Sequence, residues 1–108
     1  MSKDVLSRLA AIIKSRRQAR PEDSHTRRLL DGAPVKPAKK LAEEAVEVAI
    51  AALVQDDKAL IGETADMLYH LLVLLESRDV SLDDVLGELE RRMALTAVGQ
   101  KRQKAALR

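Results

Sequence analysis

The chain has 108 residues, no cysteine, and Tyr69 as its only Phe, Trp or Tyr. These facts exclude a disulfide framework, thiolate metal ligation and a cysteine nucleophile, and they disfavour nucleic-acid binding through stacked bases. The formal net charge of +2 conceals a segregation: residues 1–42 carry 11 Lys/Arg against 4 Asp/Glu, residues 43–90 carry 2 against 13, and residues 91–108 carry 6 against 0. An acidic centre between basic flanks suits a site that holds both cations and anionic phosphates, and the length points to a single domain over 1–108.

Apolar residues Val5, Leu6, Leu9, Ile12 and Ile13 recur at helical spacing and predict a first helix over residues 3–17, stopping near Arg20 and Pro21. This N-terminus lacks the apolar core and cleavage site of a signal peptide. Ser24 is placed to cap a short helix through Thr26, Arg28, Leu29 and Leu30, with Gly32 as its stop. A loop is expected over 31–37. Pro37 then suits the first position of a long helix running to Val54. Asp56 and Asp57 can cap the next, over 58–77, with Gly62 weakening its first turns by about 1 kcal/mol relative to Ala. Finally SLDD at 81–84 resembles a capping box, and Leu82, Val85, Leu86, Leu89 and Met93 form a fourth stripe. Beyond Gly99 the chain reads as frayed or weakly helical.

The longest apolar runs, at 45–54 and 67–75, are about half a membrane span and are interrupted by Glu47 and His70. A soluble cytoplasmic protein is expected, with no membrane partner. The second and third long helices are apolar on more than one face, unlike a surface helix with one buried stripe. The expected fold is therefore all-α, an antiparallel helical bundle of four to five helices completed by dimerisation into a homodimer.

Within these apolar helices stand carboxylates. At about 100° per residue, Lys40, Glu44 and Glu47 fall within roughly 60° of one another, as do Glu63, Asp66 and His70 on the next helix. A short connection makes the two helices antiparallel neighbours with axes about 8–10 Å apart, so two acidic i, i+3 pairs converge. Bare, they would repel and raise one another's pKa. All-oxygen ligands favour Mg²⁺ or Mn²⁺ over zinc. A single E-x-x-E pair reads more readily as solvent-facing and paired with Lys40, Lys58 or an arginine; two pairs embedded in apolar sequence shift the reading toward metal.

The stretches KKLAEEAVEVAIAAL and ETADMLYHLLVLLESRDVSLDDVLGELERR, with SHTRRLL at 24–30, strongly resemble the phosphoribosyl-ATP pyrophosphatase family of histidine biosynthesis, within the all-α nucleoside triphosphate pyrophosphohydrolases. The shared E-x-x-E and E-x-x-D signature stands here as Glu44-Ala-Val-Glu47 and Glu63-Thr-Ala-Asp66. The resemblance implies hydrolysis of the α–β phosphoanhydride of phosphoribosyl-ATP to phosphoribosyl-AMP and pyrophosphate. It implies Glu44, Glu47, Glu63 and Asp66 as Mg²⁺ ligands, one of which can instead act as general base. The chain departs from the family pattern at His25, where an aromatic residue is usual, at Ala42, where glycine is usual, and in the loop DGAPVKPAKK.

Other residues are candidates for the nucleotide substrate. Lys40 can contact a phosphate or simply pair with Glu44. His70 can orient a carboxylate, contact substrate, or serve as a satisfied structural histidine. Arg27 and Arg28, with Ser24 and Thr26, can bind phosphate or form a solvated basic face, while Tyr69 and the Leu and Val residues around it belong to the core. Competing readings are a pyrophosphohydrolase of other nucleoside triphosphates and a non-catalytic helical module whose acidic face binds a basic partner.

Overall fold

The computed structural model describes residues 2–98, with side chains over 5–96; the tail expected to fray beyond Gly99 lies outside them. Among the described residues there are five α-helices and no strand: α1 (Ser2–Ser15), α2 (His25–Asp31), α3 (Val35–Val54), α4 (Asp57–Ser77) and α5 (Leu82–Val98). The all-α expectation holds. Two short 3₁₀ turns, Arg16–Gln18 and Pro21–Asp23, fold the segment after α1 back toward α2. None of the helices is long and apolar enough to cross a membrane.

Side-chain caps begin three helices where the sequence places them. Ser24 Oγ accepts the Arg27 N–H at 3.0 Å, an Asp56 carboxylate oxygen accepts the Ala59 N–H at 2.9 Å, and Ser81 Oγ accepts the Asp84 N–H at 3.0 Å. Each satisfies a donor that the first turn of a helix leaves open. Gly32 ends α2, and a Cβ there would lie 2.8 Å from Lys36 Cβ. The tight α2–α3 turn therefore needs glycine for room.

Two boundaries differ from the sequence expectation: the first helix ends at Ser15, with Arg16 and Arg17 in a 3₁₀ turn, and the long helix α3 starts early. Helix α3 begins at Val35, two residues before Pro37, so the expected loop is shorter. The N–H of a third helical position has no intrahelical acceptor, so proline is tolerated there as well as at the first. Its ring is fully buried, which anchors the start of α3.

The link between α3 and α4 is only residues 55–56, which makes the two helices antiparallel, and this pair forms the most extensive contact in the molecule. Helices α1 and α2 pack on the C-terminal half of α4. The core there consists of Ile13, Leu29, Leu72 and Val73, with Leu6, Leu9, Leu30, Tyr69, Leu75 and Leu82 against it. Two arginines fix the periphery. Arg17 donates from Nε to the Glu76 carboxylate at 2.5 Å and from Nη2 to the Glu76 carbonyl at 2.6 Å. Arg27 donates to Asp31 at 2.8 Å and to the Ala19 carbonyl at 2.7 Å.

Much apolar surface stays open. Leu53 is 82% and Ile61 70% exposed, and Val46, Ile50 and Val54 on α3 are exposed as well. Along the expected α5 stripe Leu82 joins the core, Val85 and Leu86 are half-buried, and Leu89 and Met93 are exposed. The radius of gyration is 16.0 Å, against about 13 Å for a compact chain of this length. Because Leu29 is fully buried at the centre of the small core, Leu29→Ala is expected to cost about 2–5 kcal/mol. Urea unfolding monitored by circular dichroism will read this as a lower midpoint with an unchanged slope.

Candidate functional site

On α3, Pro37, Glu44 and Ala51 are spaced by seven residues and so lie along one line of the helix. Pro37 and Ala51 are fully buried. Glu44 therefore occupies an inward-facing position between two core residues, facing α4, and is half-buried. On α4, Glu63, Asp66, His70 and Val73 follow one another at i, i+3 and i, i+4 spacing along one face. That face is acidic near the α3–α4 link and apolar where α1 and α2 cover it, with His70 at the boundary.

The antiparallel pairing brings the two lines together. One carboxylate oxygen from each of Glu44, Glu63 and Asp66 lies within 4.8 Å of the others. Glu63 is half-buried and Asp66 exposed. Glu47 is exposed and stands outside this trio, yet its charge reaches Glu63. The Glu63 carboxyl is pushed above the usual carboxylate range, first by desolvation and then by repulsion from Glu47, Glu44 and Asp66. Among the described residues no lysine or arginine forms an ion pair with any of the four. Lys40, which the sequence offers as a partner for Glu44, instead sets its ammonium 3.5 Å from Glu43.

His70 is 7% exposed, and its Nδ1 has no hydrogen-bond partner among the described residues. That separates it from a structural histidine with both nitrogens satisfied. Burial lowers its pKa; Glu44 and Asp66 oppose that shift, whereas Lys40 and His25 add to it. Its ring meets Tyr69 edge-on at 4.9 Å. Tyr69 packs against the core, as expected, and its hydroxyl hydrogen-bonds Thr26 Oγ1, joining α2 to α4 beside the carboxylates.

The other candidates are tied into the fold near this site. The Ser24 hydroxyl caps α2 and Thr26 is bonded to Tyr69. Arg28 donates Nη1 to the Pro21 carbonyl at 2.6 Å, and Arg27 braces the 3₁₀ segment through Ala19. Sequence reasoning noted His25 only as a departure from the family pattern and gave no site role to it or to Arg16, Gln18 and Arg20, which with Ser24 and Thr26 line an open depression of about 560 Å³. It is created by the two 3₁₀ turns, for which the only sequence signal was Pro21.

Three carboxylates meeting across an antiparallel helix pair, with no cation among the described residues to neutralise them, define an all-α protein with a candidate all-oxygen divalent-cation centre. The donor set fits a hard cation, and the raised Glu63 carboxyl shows the charge that such an ion would relieve. The family model described as phosphoribosyl-ATP pyrophosphohydrolase matches residues 6–93. The chain is 48% identical over 101 residues to the phosphoribosyl-ATP pyrophosphatase of Methylobacterium nodulans, covering 94% of each chain. It is 51% identical over 96 residues to that of Rhodobacter capsulatus, covering 89% of this chain and 93% of the relative. With that of Erythrobacter litoralis it shares 49% over 98 residues, covering 91% and 94%. The chain belongs to the phosphoribosyl-ATP pyrophosphohydrolase family and is a hydrolase.

Because the Glu63 pKa is raised in the fold, this carboxyl keeps its proton to higher pH in the folded state than in the unfolded one. Ionisation of Glu63 therefore weakens the metal-free fold as pH rises from the ordinary carboxylate value through the raised one. Glu63→Gln is expected to raise the Tm of metal-free protein at pH 7 and to leave it nearly unchanged at pH 4. Scanning calorimetry in the presence of a chelator checks this; a lower Tm at pH 7 would contradict it.

Proposed function

We propose that this chain hydrolyses the α–β phosphoanhydride of phosphoribosyl-ATP, giving phosphoribosyl-AMP and pyrophosphate in histidine biosynthesis. In this reading Mg²⁺ is held by Glu44, Glu63 and Asp66, with Glu47 beside them, and Mn²⁺ is an acceptable substitute. The observation that carries the proposal is the convergence of Glu44, Glu63 and Asp66 within 4.8 Å, in a chain whose relatives bear the phosphoribosyl-ATP pyrophosphatase name. The bound ion would neutralise phosphate oxygens and acidify a water.

The protein's own groups supply the rest. Cleavage replaces the bond to the bridging oxygen by a bond to a water oxygen, and the water must lose a proton. Glu47, exposed and outside the trio, is the carboxylate free to accept it and to orient the water. Lys40 is held only by a partly exposed pair with Glu43. Such pairs are worth about 0–1 kcal/mol, so its ammonium is readily transferred to a substrate phosphate. His70, whose neutral form burial favours, presents an imidazole whose Nδ1 has no partner among the described residues, on the face that carries the carboxylates.

The exposed apolar residues Val46, Ile50, Leu53 and Ile61 support a homodimer in which a second copy covers the outer face of α3 and the tip of the α3–α4 hairpin. Contiguous apolar surface of this kind is uncommon on a monomer. The nucleotide substrate supports a cytoplasmic setting.

Pyrophosphate release from phosphoribosyl-ATP, measured beside a panel of ordinary nucleoside triphosphates, tests the activity. Release is expected from phosphoribosyl-ATP only with Mg²⁺ present, and to fall by about 10²-fold or more in Glu47→Gln. Release only from the panel would reassign the substrate, and unimpaired activity in the variant would remove the role given to Glu47. In sedimentation velocity the chain is expected at twice its 11.9 kDa mass, and Ile50→Asp with Leu53→Asp at the monomer mass.

A further inference from the structure

The depression walled by Arg16, Gln18, Arg20, Ser24, His25 and Thr26 adjoins the carboxylate centre without being part of it. Its walls are braced: Arg27 holds the Ala19 carbonyl at 2.7 Å, and Arg28 holds that of Pro21 at 2.6 Å. Thr26, on its rim, is hydrogen-bonded to Tyr69. Tyr69 follows Asp66 by about 5 Å along the axis of α4. The charges of His25 on the wall and of Glu44 and Asp66 in the centre all act on the same imidazole, His70. The Thr26–Tyr69 bond and the charge of His25 acting on His70 thus tie the basic depression to the α4 face that carries the carboxylates.

The charge of the basic compartment is concentrated at one residue. Arg20 is engaged by Glu22 at 2.5 Å and lies 3.8 Å from Asp23, which also lines the depression. Arg16 has no acidic partner among the described residues, and its planar fork of donors suits a phosphate. Gln18 and His25 beside it offer groups for sugar hydroxyls. At about 560 Å³ the space lies within the usual range of small-ligand sites, about 300–1,000 Å³.

A phosphoribosyl-ATP molecule has two anionic ends, the triphosphate and the phosphate of its second ribose. With the triphosphate assigned to the carboxylate centre, the other end needs a cationic subsite next to it. We propose that this depression receives the ribose 5-phosphate end of the substrate, with Arg16 binding the phosphate and Gln18 and His25 the sugar; the inference rests on the function proposed above. The subsite would distinguish the substrate from ordinary nucleoside triphosphates, which lack that end.

The test compares Arg16→Gln and Arg16→Lys with the unaltered chain, after thermal melts establish that both variants fold. Arg16→Gln is expected to raise KM for phosphoribosyl-ATP by about tenfold or more, with a much smaller effect on kcat and on KM for ATP where ATP is turned over. Arg16→Lys should restore part of the loss. Independently of turnover, ribose 5-phosphate titrated calorimetrically onto metal-free protein should bind the unaltered chain and not Arg16→Gln. An unmoved KM, a fall confined to kcat, or an equal rise in KM for ATP would overturn the assignment. So would equal binding of ribose 5-phosphate by both proteins, or binding by neither. Failure of the proposed activity shows separately, as absence of Mg²⁺-dependent pyrophosphate release by the unaltered chain, and leaves the ribose 5-phosphate titration as the test of the subsite.

Discussion

Repulsion among Glu44, Glu63, Asp66 and Glu47 is the constraint around which the molecule is arranged. Like charges this close would separate if the helices carrying them could splay. They cannot, because α3 and α4 are joined by only two residues and locked at both ends of the facing line by the buried Pro37 and Ala51. The core of Ile13, Leu29, Leu72 and Val73 then clamps the C-terminal half of α4. Packing at the two ends thus offsets unfavourable electrostatics in the middle, a local conflict of the kind that native structures retain where function requires it. A divalent cation would remove the conflict, which makes affinity for the ion and stability of the helix pair two measures of one interaction.

The parts of this arrangement governed by short-range chemistry were legible in the sequence. Ser24, Asp56 and Ser81 cap the helices they were expected to cap, since an N-cap bond spans only three residues. Convergence of Glu44 with Glu63 and Asp66 followed from two helical periods and one short link. Parts that depend on long side chains finding partners across the fold were not legible. Periodicity could not show Lys40 turning to Glu43 rather than Glu44, because both neighbours are in reach along one helix. Nor could it show Arg27 spending its donors on Asp31 and the Ala19 carbonyl, which removes it from the basic face it was read into. The start of α3 was misplaced by two residues because proline is acceptable at more than one position of a first turn. The stripe on α5 was real as a period, but its exposed Leu89 and Met93 show that a period identifies a face without naming what covers it.

The same limit bears on how much of the functional protein one chain can be. A fully buried cluster of four residues is a small core for a chain with this much apolar sequence. The outer face of α3 lies directly behind the line that carries Glu44, so whatever covers Val46 and Ile50 also fixes the helix that positions a metal-ligand candidate. In the proposed homodimer, association and assembly of the site are energetically coupled. A substitution far from the carboxylates, on the solvent side of α3, can then weaken the site without touching it.

Charge segregation along the chain acquires a spatial meaning from these arguments. The basic N-terminal segment and the acidic centre are distant in sequence, yet the 3₁₀ turns and the Thr26–Tyr69 bond bring the first against the second. Had the two blocks paired directly, they would have neutralised each other in a lattice of ordinary ion pairs. Instead Arg17 crosses to the acidic block at Glu76, away from the carboxylate trio, while Arg20 pairs locally with Glu22 and Arg27 with Asp31. Among the described residues the acidic trio is left without a cationic partner and Arg16 without an anionic one. A ligand with phosphate at both ends, one of them carrying a divalent cation, is the kind of molecule that satisfies both at once. In the proposed function, the unpaired charges, more than the paired ones, mark where the substrate is held.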